Sequence, residues 1–246
     1  MSHRSLTFLE HLEELRWHLV RCCVALSLAV IIAYTFLASP VIPFLLKPVG
    51  KLVFTAPAEA FLAHLVVAFF CGLMLVMPYL LYQFWTFASS GLTALERKYT
   101  VFLLPFAVLL FYAGVLFSYT CVLPLALRFF LSFSSPWIVP MITVSQYLSF
   151  VGSFCLGFGI VFEMPIVVIF LVKIGVATAE FLIQMRRHAI VIIFVISAIV
   201  TPPDWISQIL MALPMIGLYE LSICFARLAE RRRSLEVDPS AHTRVL

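Results

Sequence analysis

An acidic residue, Glu163, lies within the apolar run from Ser149 to Lys173, which is long enough to cross a bilayer. Because a helix rises about 1.5 Å per residue, the carboxyl would lie roughly 21 Å from one end of the run and roughly 15 Å from the other. A carboxylate at that depth costs on the order of 2.5–3.5 kcal/mol to insert. Two interpretations stay open: a neutral, hydrogen-bonded structural acid, or a contact point for a polar partner or substrate inside the membrane. Pro165 and the glycines ahead of Glu163 predict a helix that is loosened at this point.

Further acids lie near the ends of the apolar runs. Glu10, Glu13 and Glu14 crowd the first 18 residues, and Glu96 comes just before the third run, next to a basic pair. Each could belong to a solvated helix face with local salt bridges. Two acidic sites on neighbouring segments could instead hold two adjacent arginines, because carboxylate–guanidinium pairs are charge-assisted and often bidentate.

Polar residues around the last run carry weaker signals. We expect Gln208 to face the buried acids from the last span, and Glu220, about two turns before Arg227, to form a local ion pair. A tight turn precedes this span, and its last residue is placed to cap the next helix. That turn contains Pro202, Pro203 and Asp204.

The composition is that of a membrane protein. Of the 246 residues, 63% are hydrophobic and 11% are charged, and the mean hydropathy is +1.11. A soluble domain is about 45–50% apolar and about 25% charged. Because helices satisfy their own backbone polar groups in lipid, the long apolar blocks predict an all-α polytopic membrane protein. The net charge of +4 reflects where the basic residues lie along the chain, and we expect no nucleic-acid partner.

The apolar blocks predict a single membrane domain, residues 1–246, with six spans. A short amphipathic helix at 5–18 precedes the first span, a proline-rich loop follows it, and a basic tail at 227–246 closes the chain. The fifth span offers only about 12 apolar residues, roughly 18 Å, against roughly 30 Å of hydrocarbon. The spans are expected at 19–37, 61–87, 100–123, 149–173, 189–200 and 205–226.

The basic residues predict the orientation in the membrane. With six spans both termini lie on one side, and that side would hold 13 of the 16 Lys and Arg residues, leaving Lys47, Lys51 and Arg128 on the other. Cytoplasmic loops of membrane proteins carry the excess of basic residues. We therefore predict that both termini are cytoplasmic.

Enzyme signatures are absent from the sequence. It has no HExxH, GxSxG or P-loop pattern, so we expect no catalytic residues and no cofactor. His11 and His18 lack a third ligand and His64 is alone in an apolar block, so no metal site is expected. The six cysteines lie in or beside apolar blocks without a CxxC pair, and we interpret them as packing residues. No cleavable signal peptide is predicted.

Five short motifs mark the chain: HLEELRWHL (11–19), LYQFWTF (81–87), LERKY (95–99), FGIVFEMP (158–165) and TPPDWISQ (201–208). Their order and spacing resemble those of the TatC family, the multispanning receptor of the twin-arginine protein translocase. The resemblance covers essentially the whole chain up to Arg227, and FGxxFExP together with TPPDxxSQ is highly specific.

The resemblance implies a fold of six helices in a concave, glove-like bundle with both termini in the cytoplasm. It implies that Glu14, with Arg16 and Glu13 beside it, recognises the twin-arginine signal peptide together with Glu96. It also implies that Glu163 faces the concave side and meets polar groups of small single-span partner subunits.

A few positions depart from the family's pattern. Trp17 and His18 stand where basic residues usually follow HLxELR, and Leu95 stands where a polar residue commonly precedes Glu96. The proline common in the first cytoplasmic loop is missing. Asp204 matches the aspartate of the family's TPPD turn.

The residues and the resemblance together predict a translocase component that binds twin-arginine signal peptides on folded cargo. It would assemble with single-span subunits of the TatA and TatB type, and the proton-motive force would drive export. We expect a multi-pass oligomer in contact with lipid, in a bacterial cytoplasmic membrane ahead of a thylakoid or mitochondrial one. The alternative is a proton-coupled small-solute transporter with Glu163 as the proton carrier. That alternative predicts two related halves, and the sequence shows no internal repeat.

Overall fold

The structure is a computed structural model that describes residues 8–49, 52–53, 56–89, 94–135, 137, 141–200 and 205–237. For residues 8–11, 94–100, 200, 229 and 231–237 it describes the backbone alone. Within these ranges the regular secondary structure is helical. The helices are α1 Phe8–Ile32, α2 Ala38–Leu46, α3 Pro57–Ala88, α4 Ala94–Phe117, α5 Leu123–Ser132, α6 Val144–Val161, α7 Met164–Lys173, α8 Ala179–Gln184, α9 Arg186–Val200 and α10 Trp205–Val237.

Five helical stretches in the described ranges are long and apolar enough to cross a membrane. They confirm the predicted fold class, an all-α polytopic membrane protein. The element expected at 189–200 is α9, which has 15 residues and a length of about 22 Å. It is therefore shorter than a hydrocarbon core of about 30 Å. The five stretches are Leu12–Leu46, Pro57–Ala88, Val101–Ser132, Val144–Lys173 and Trp205–Leu228.

The first helix joins two segments that the sequence suggests are separate. The amphipathic helix expected at 5–18 and the span expected at 19–37 are continuous in the described part, because no glycine or proline interrupts the sequence from Phe8 to Leu37. A π turn at Ala33–Leu37 then leads directly into α2. The predicted proline-rich loop is therefore helical as far as Leu46.

Both π turns of the described chain come just ahead of a proline. In the second, the N–H of Leu123 donates to the carbonyl of Ser118, five residues back, and Pro124 follows at once. The turn at Ala33–Leu37 has the same geometry and precedes Pro40. A proline at the start of a helix needs no N–H, so the chain stays helical. The third span, expected at 100–123, consequently extends through α5.

A tyrosine hydroxyl replaces a backbone hydrogen bond that a proline removes. Pro78 has no N–H to donate to the carbonyl of Met74, and the hydroxyl of Tyr112 on α4 donates to it at 2.8 Å. A buried carbonyl left unpaired costs about 1–3 kcal/mol, so this bond makes Pro78 tolerable inside α3. Tyr119 donates at 3.2 Å to the carbonyl of Phe44 at the end of α2, which also accepts the N–H of Lys47. Both tyrosines thereby hold neighbouring helices together.

Two glycines allow helices to cross closely. A Cβ at Gly72 would lie 2.7 Å from the Cα of Val30, where α3 crosses α1, and a Cβ at Gly114 would lie 2.6 Å from the carbonyl oxygen of Phe158, where α4 crosses α6. Small residues at such crossings favour association because helices in lipid gain mainly from close packing. The α1–α3 crossing positions the first helix, and α6 packs at the centre of the bundle against α3, α4 and α9.

Candidate functional sites

Glu163 lies at a break in the fourth span. The run expected as one helix at 149–173 is two helices, α6 and α7, joined by a turn that contains Glu163. Pro165 lies in the first turn of α7, where its missing N–H and fixed φ suit a helix start. The Glu163 N–H donates to the carbonyl of Ile160 at 3.1 Å, and the N–H of Ile166 donates to the Glu163 carbonyl at 3.0 Å. The backbone is thus satisfied on both sides of the break.

The Glu163 side chain, by contrast, is buried without a partner. The residue is 8% exposed, and neither carboxyl oxygen has a hydrogen-bond partner among the described residues. An ionised carboxylate in such a place costs several kcal/mol, whereas the neutral acid keeps one O–H to donate. If Glu163 were a neutral structural acid, its carboxyl would need hydrogen bonds, and the described part of the chain does not provide them. The arrangement can instead accept a polar group brought by another helix.

Two polar residues of α10 bond elsewhere. The amide of Gln208 donates to the carbonyl of Phe194 in α9 at 2.9 Å, so the described structure does not bring Gln208 into hydrogen-bond contact with Glu163. Glu220 pairs with Arg186 at 2.7 Å, and not with Arg227 as expected. Both partners, the carbonyl of Phe194 and the guanidinium of Arg186, come from α9, which packs beside α10. The spacing of residues along α10 does not reveal this packing.

The last helix also continues further than predicted. The span expected at 205–226 runs on to Val237, into the segment expected to be a basic tail. Its Glu230 carboxylate accepts a hydrogen bond from the N–H of Ala179 at 2.7 Å, and the hydroxyl of Tyr219 donates to the carbonyl of Leu182 at 2.7 Å. These bonds attach the connection between α7 and α9 to α10.

A second candidate site lies near the beginning of α1. Glu14, Trp17, His18 and Arg21 line a shallow hollow on the surface. The side chain of Glu14 is 32% exposed, and its Oε1 lies 3.9 Å from Nε2 of His18, one helical turn away. A carboxylate that shares a surface hollow with basic groups can change ion-pair partners when a cation arrives. This site can therefore bind a positively charged ligand.

His18 connects this hollow to α3. Its Nδ1 lies 2.5 Å from Oε1 of Gln83, and Nε2 of Gln83 donates to the Tyr79 hydroxyl at 2.5 Å. Because the Gln83 oxygen is an acceptor, Nδ1 carries a proton and Nε2 is the atom that faces Glu14. The imidazole also meets the ring of Phe87 edge to face, with centroids 5.9 Å apart. These contacts hold His18 in one position beside Glu14.

Gln83 and Tyr79 are site residues that spacing along the sequence does not identify. Gln83 is 5% exposed and lies 65 positions from its partner His18. Buried amides need hydrogen-bond partners, so the amide within the apolar motif LYQFWTF is the signal that could have revealed it.

Arg16 and Glu13 lie on the exposed side of α1. The guanidinium carbon of Arg16 is 5.6 Å from the centroid of the Trp17 ring, a cation–π geometry. Trp17 thus contacts Arg16. Both charged side chains, Glu13 and Arg16, are exposed to solvent near Glu14.

The remaining predicted site residues are described in part or not at all. Glu96 is the third residue of α4 as described, where the helix dipole favours an acid, and its side chain lies outside the described ones. Pro202, Pro203 and Asp204, the predicted turn and cap, lie outside the described residues.

Fold and sites together define a multispanning helical membrane protein with the candidate acid Glu14 at its surface and the candidate acid Glu163 buried in a span. The family model described as Sec-independent protein translocase protein (TatC) matches residues 10–214. The chain belongs to this family, and it is a component of the twin-arginine protein translocase. The family is one of protein translocase receptors and not of enzymes, and the small-solute transporter alternative has no support from it.

Relatives and solved structures agree over almost the full length. The Sec-independent protein translocase protein TatC of Carboxydothermus hydrogenoformans is 40% identical over 232 residues, covering 92% of this chain and 95% of the relative. That of Aquifex aeolicus is also 40% identical, covering 91% and 96%. A crystal structure described as the twin arginine translocase receptor TatC matches with a TM-score of 0.82 at 40% identity, covering 90% of this chain and 100% of that one.

Proposed function

We propose that this chain binds the twin-arginine signal peptide of folded cargo at Glu14 and Glu96, and that it assembles with single-span partner subunits through Glu163. The observation that carries the proposal is the placement of Glu14, whose carboxylate is partly exposed beside a histidine that α3 holds in position. The proton-motive force drives export, and the chain itself hydrolyses nothing.

The surface site offers a partly exposed carboxylate to an arginine. The Glu14 side chain is 32% exposed although its Oε2 is buried, and a guanidinium can form a charge-assisted hydrogen bond with the accessible part of the carboxylate. Glu96, in the first turn of α4, would take the second arginine, with Glu13 and Arg16 at the margin of the site. Leu12, Trp17 and Leu19 leave exposed apolar surface on the same helix for the apolar part of a signal peptide.

Charge reversal tests the signal site. Glu14→Lys and Glu96→Lys should each abolish crosslinking to a twin-arginine peptide, because one charged hydrogen bond is worth about 1.5–3 kcal/mol, or roughly 10- to 150-fold in affinity. Glu180→Lys is the matched control, since Glu180 is an exposed acid in α8 outside the site. Undiminished crosslinking in Glu96→Lys would remove that residue from the site.

The buried acid supports the assembly part of the proposal. Glu163 has no hydrogen-bond partner among the described residues, and a polar side chain on a partner's single helix would supply one. Glu163→Ala should leave signal binding largely intact and reduce co-purification of the single-span subunits. Ile160→Ala, an exposed residue beside the same break, is the control. Unchanged assembly and export in Glu163→Ala would defeat this role.

The proposal includes an orientation and a location. Both termini would lie in the cytoplasm of a bacterium, and the chain would be part of an oligomer in the inner membrane. The basic residues support this arrangement through their 13 to 3 distribution. A reporter fused to the C-terminus that became active on the outer side would contradict it.

A further inference from the structure

We propose that the chain binds one anionic phospholipid, with an acyl chain in an apolar pocket at the α2 end of the bundle and the headgroup at Lys47. The pocket has a volume of about 560 Å³ and lies between α2, α3, α4 and α6. Neither Glu14 nor Glu163 lines it, and the proposed binding of lipid does not depend on the proposed function. The lining includes Phe44, Phe70, Tyr112, Val115, Leu116 and Gly152.

The lining of the pocket is apolar, and its two hydroxyl groups already donate hydrogen bonds. Two tyrosines line it, and both hydroxyls are committed to backbone carbonyls, Tyr112 to that of Met74 and Tyr119 to that of Phe44. The other lining side chains are apolar or are cysteines. Apolar cavities stay free of water and take up apolar guests. A hydrocarbon chain therefore suits this pocket.

The dimensions favour an acyl chain over a peptide helix. The pocket extends from Val67 to Met74 along α3, seven residues, or about 10 Å. A helix with a diameter of about 10 Å occupies about 800 Å³ over that length, so it could enter this pocket of about 560 Å³ only in part. A flexible chain of methylenes has no such minimum width.

The pocket opens to the surroundings of the bundle. Leu116 is 62% exposed, and Phe44 and Tyr112 are also exposed at its edge. Both α3 and α4 belong to stretches long and apolar enough to cross a membrane, so we expect this opening to face lipid. A lipid can therefore enter from the side without a rearrangement of the helices.

Lys47 supplies the charge. Its ammonium nitrogen lies 5.3 Å from the centroid of the ring of Phe44, a residue that lines the pocket, and Lys47 is exposed. The described acid at this end, Glu59, is buried and accepts a hydrogen bond from the N–H of Ser145, so it is turned into the protein. A lysine above an apolar pocket complements a lipid with a net negative headgroup.

Native mass spectrometry of the purified full chain with added phosphatidylglycerol or phosphatidylcholine tests the proposal. The wild-type chain should retain one phosphatidylglycerol and bind it about fivefold more tightly than phosphatidylcholine, since one lysine near the surface is worth about 1 kcal/mol. Lys47→Gln should remove that preference, whereas Arg128→Gln, an exposed basic residue in α5, should keep it. Equal binding of the two lipids by the wild-type chain would overturn the proposal.

Filling the pocket tests the acyl chain. Val115→Trp should weaken binding of both lipids about tenfold or more, because excluding two methylenes costs about 1.6 kcal/mol. Val101→Trp makes the same change on the same helix at an exposed position outside the pocket and should have no effect. Gly152→Ala, which displaces the Phe70 ring, should give a smaller loss with the fold retained. Unaltered lipid binding in both pocket variants, or displacement of the lipid by an apolar signal peptide, would contradict the assignment.

Discussion

Glu14 and Glu163 are both acids in a strongly apolar chain, and their surroundings differ. Glu14 is partly exposed at the surface, beside a histidine whose other nitrogen is bonded to α3. Glu163 is 8% exposed inside a span, with no hydrogen bond to its carboxyl among the described residues. The surface acid therefore has contacts, direct and through His18, from two helices of this chain, whereas the carboxyl of the buried acid receives no hydrogen bond from the described residues.

The helices that hold the two acids differ as well. Glu14 lies on a continuous helix whose position depends on the close crossing of α1 and α3 at Gly72. Glu163 lies at a break that Pro165 helps to create, in a span that packs against α10 and α4. Changes in one region should therefore leave the other largely intact.

The largest effect should come from Gly72→Leu. A Cβ at this position would lie 2.7 Å from the Val30 backbone, so α1 must move away from α3, and overpacking of this kind costs about 1–3 kcal/mol or more. We expect a lower Tm and loss of signal-peptide crosslinking, with partner co-purification through Glu163 retained. Gly217→Leu is the matched control, because nothing lies within 4 Å of its Cβ position. Equal losses of signal and partner binding would show that the two regions are not independent.

A moderate effect should come from His18→Ala. Removing the imidazole breaks the contact with Gln83 and takes away one of the contacts that position Glu14, and one hydrogen bond is worth about 0.5–1.5 kcal/mol, or roughly 2- to 12-fold in affinity. Peptide affinity measured by fluorescence anisotropy should fall by that factor. His18→Asn, which can still donate to Gln83, should recover part of it. Equal affinities for all three chains would mean that His18 does not position Glu14.

The smallest effect should come from Glu220→Gln. The ion pair between Glu220 and Arg186 is close, at 2.7 Å, but both side chains are nearly half exposed. Such pairs contribute about 0–1 kcal/mol. We expect a barely changed Tm and normal signal and partner binding. If Glu220→Gln reduced co-purification of the partner subunits as much as Glu163→Ala does, Glu220 would also be a functional acid. Exposure would then not distinguish the functional acids from the structural ones.

Much of the fold could be predicted from the sequence. Long apolar blocks identify a helical membrane protein, and the depth of Glu163 in its run follows from helix geometry alone. The prolines are harder to interpret, because local rules predict that Pro40 and Pro124 end helices, whereas π turns ahead of them keep the chain helical. At Pro78 the compensating group is the hydroxyl of Tyr112, which lies 38 positions from the Met74 carbonyl and cannot be found from local sequence.

For the sites as well, short sequence motifs are informative and contacts between distant residues are not. Glu14 can be identified as a candidate from the sequence because it is an acid within a short motif. The hydrogen bond between its neighbour His18 and α3 cannot be predicted, since Gln83 lies 65 positions after His18 and only the crossing of two helices brings them together. Gln208 shows the converse, because its type suggested a contact with Glu163 while the packing of α9 gave its amide a carbonyl partner.

A charge exchange between the chain and its peptide shows whether Glu14 binds an arginine of the signal peptide. The measurement is the affinity of Glu14→Lys for a signal peptide in which one arginine of the pair is replaced by glutamate, compared with the three other combinations. The doubly exchanged pair should bind more tightly than either single exchange, because the ion pair is restored with opposite polarity. Additive losses, with no recovery in the doubly exchanged pair, would contradict the claim that Glu14 holds an arginine.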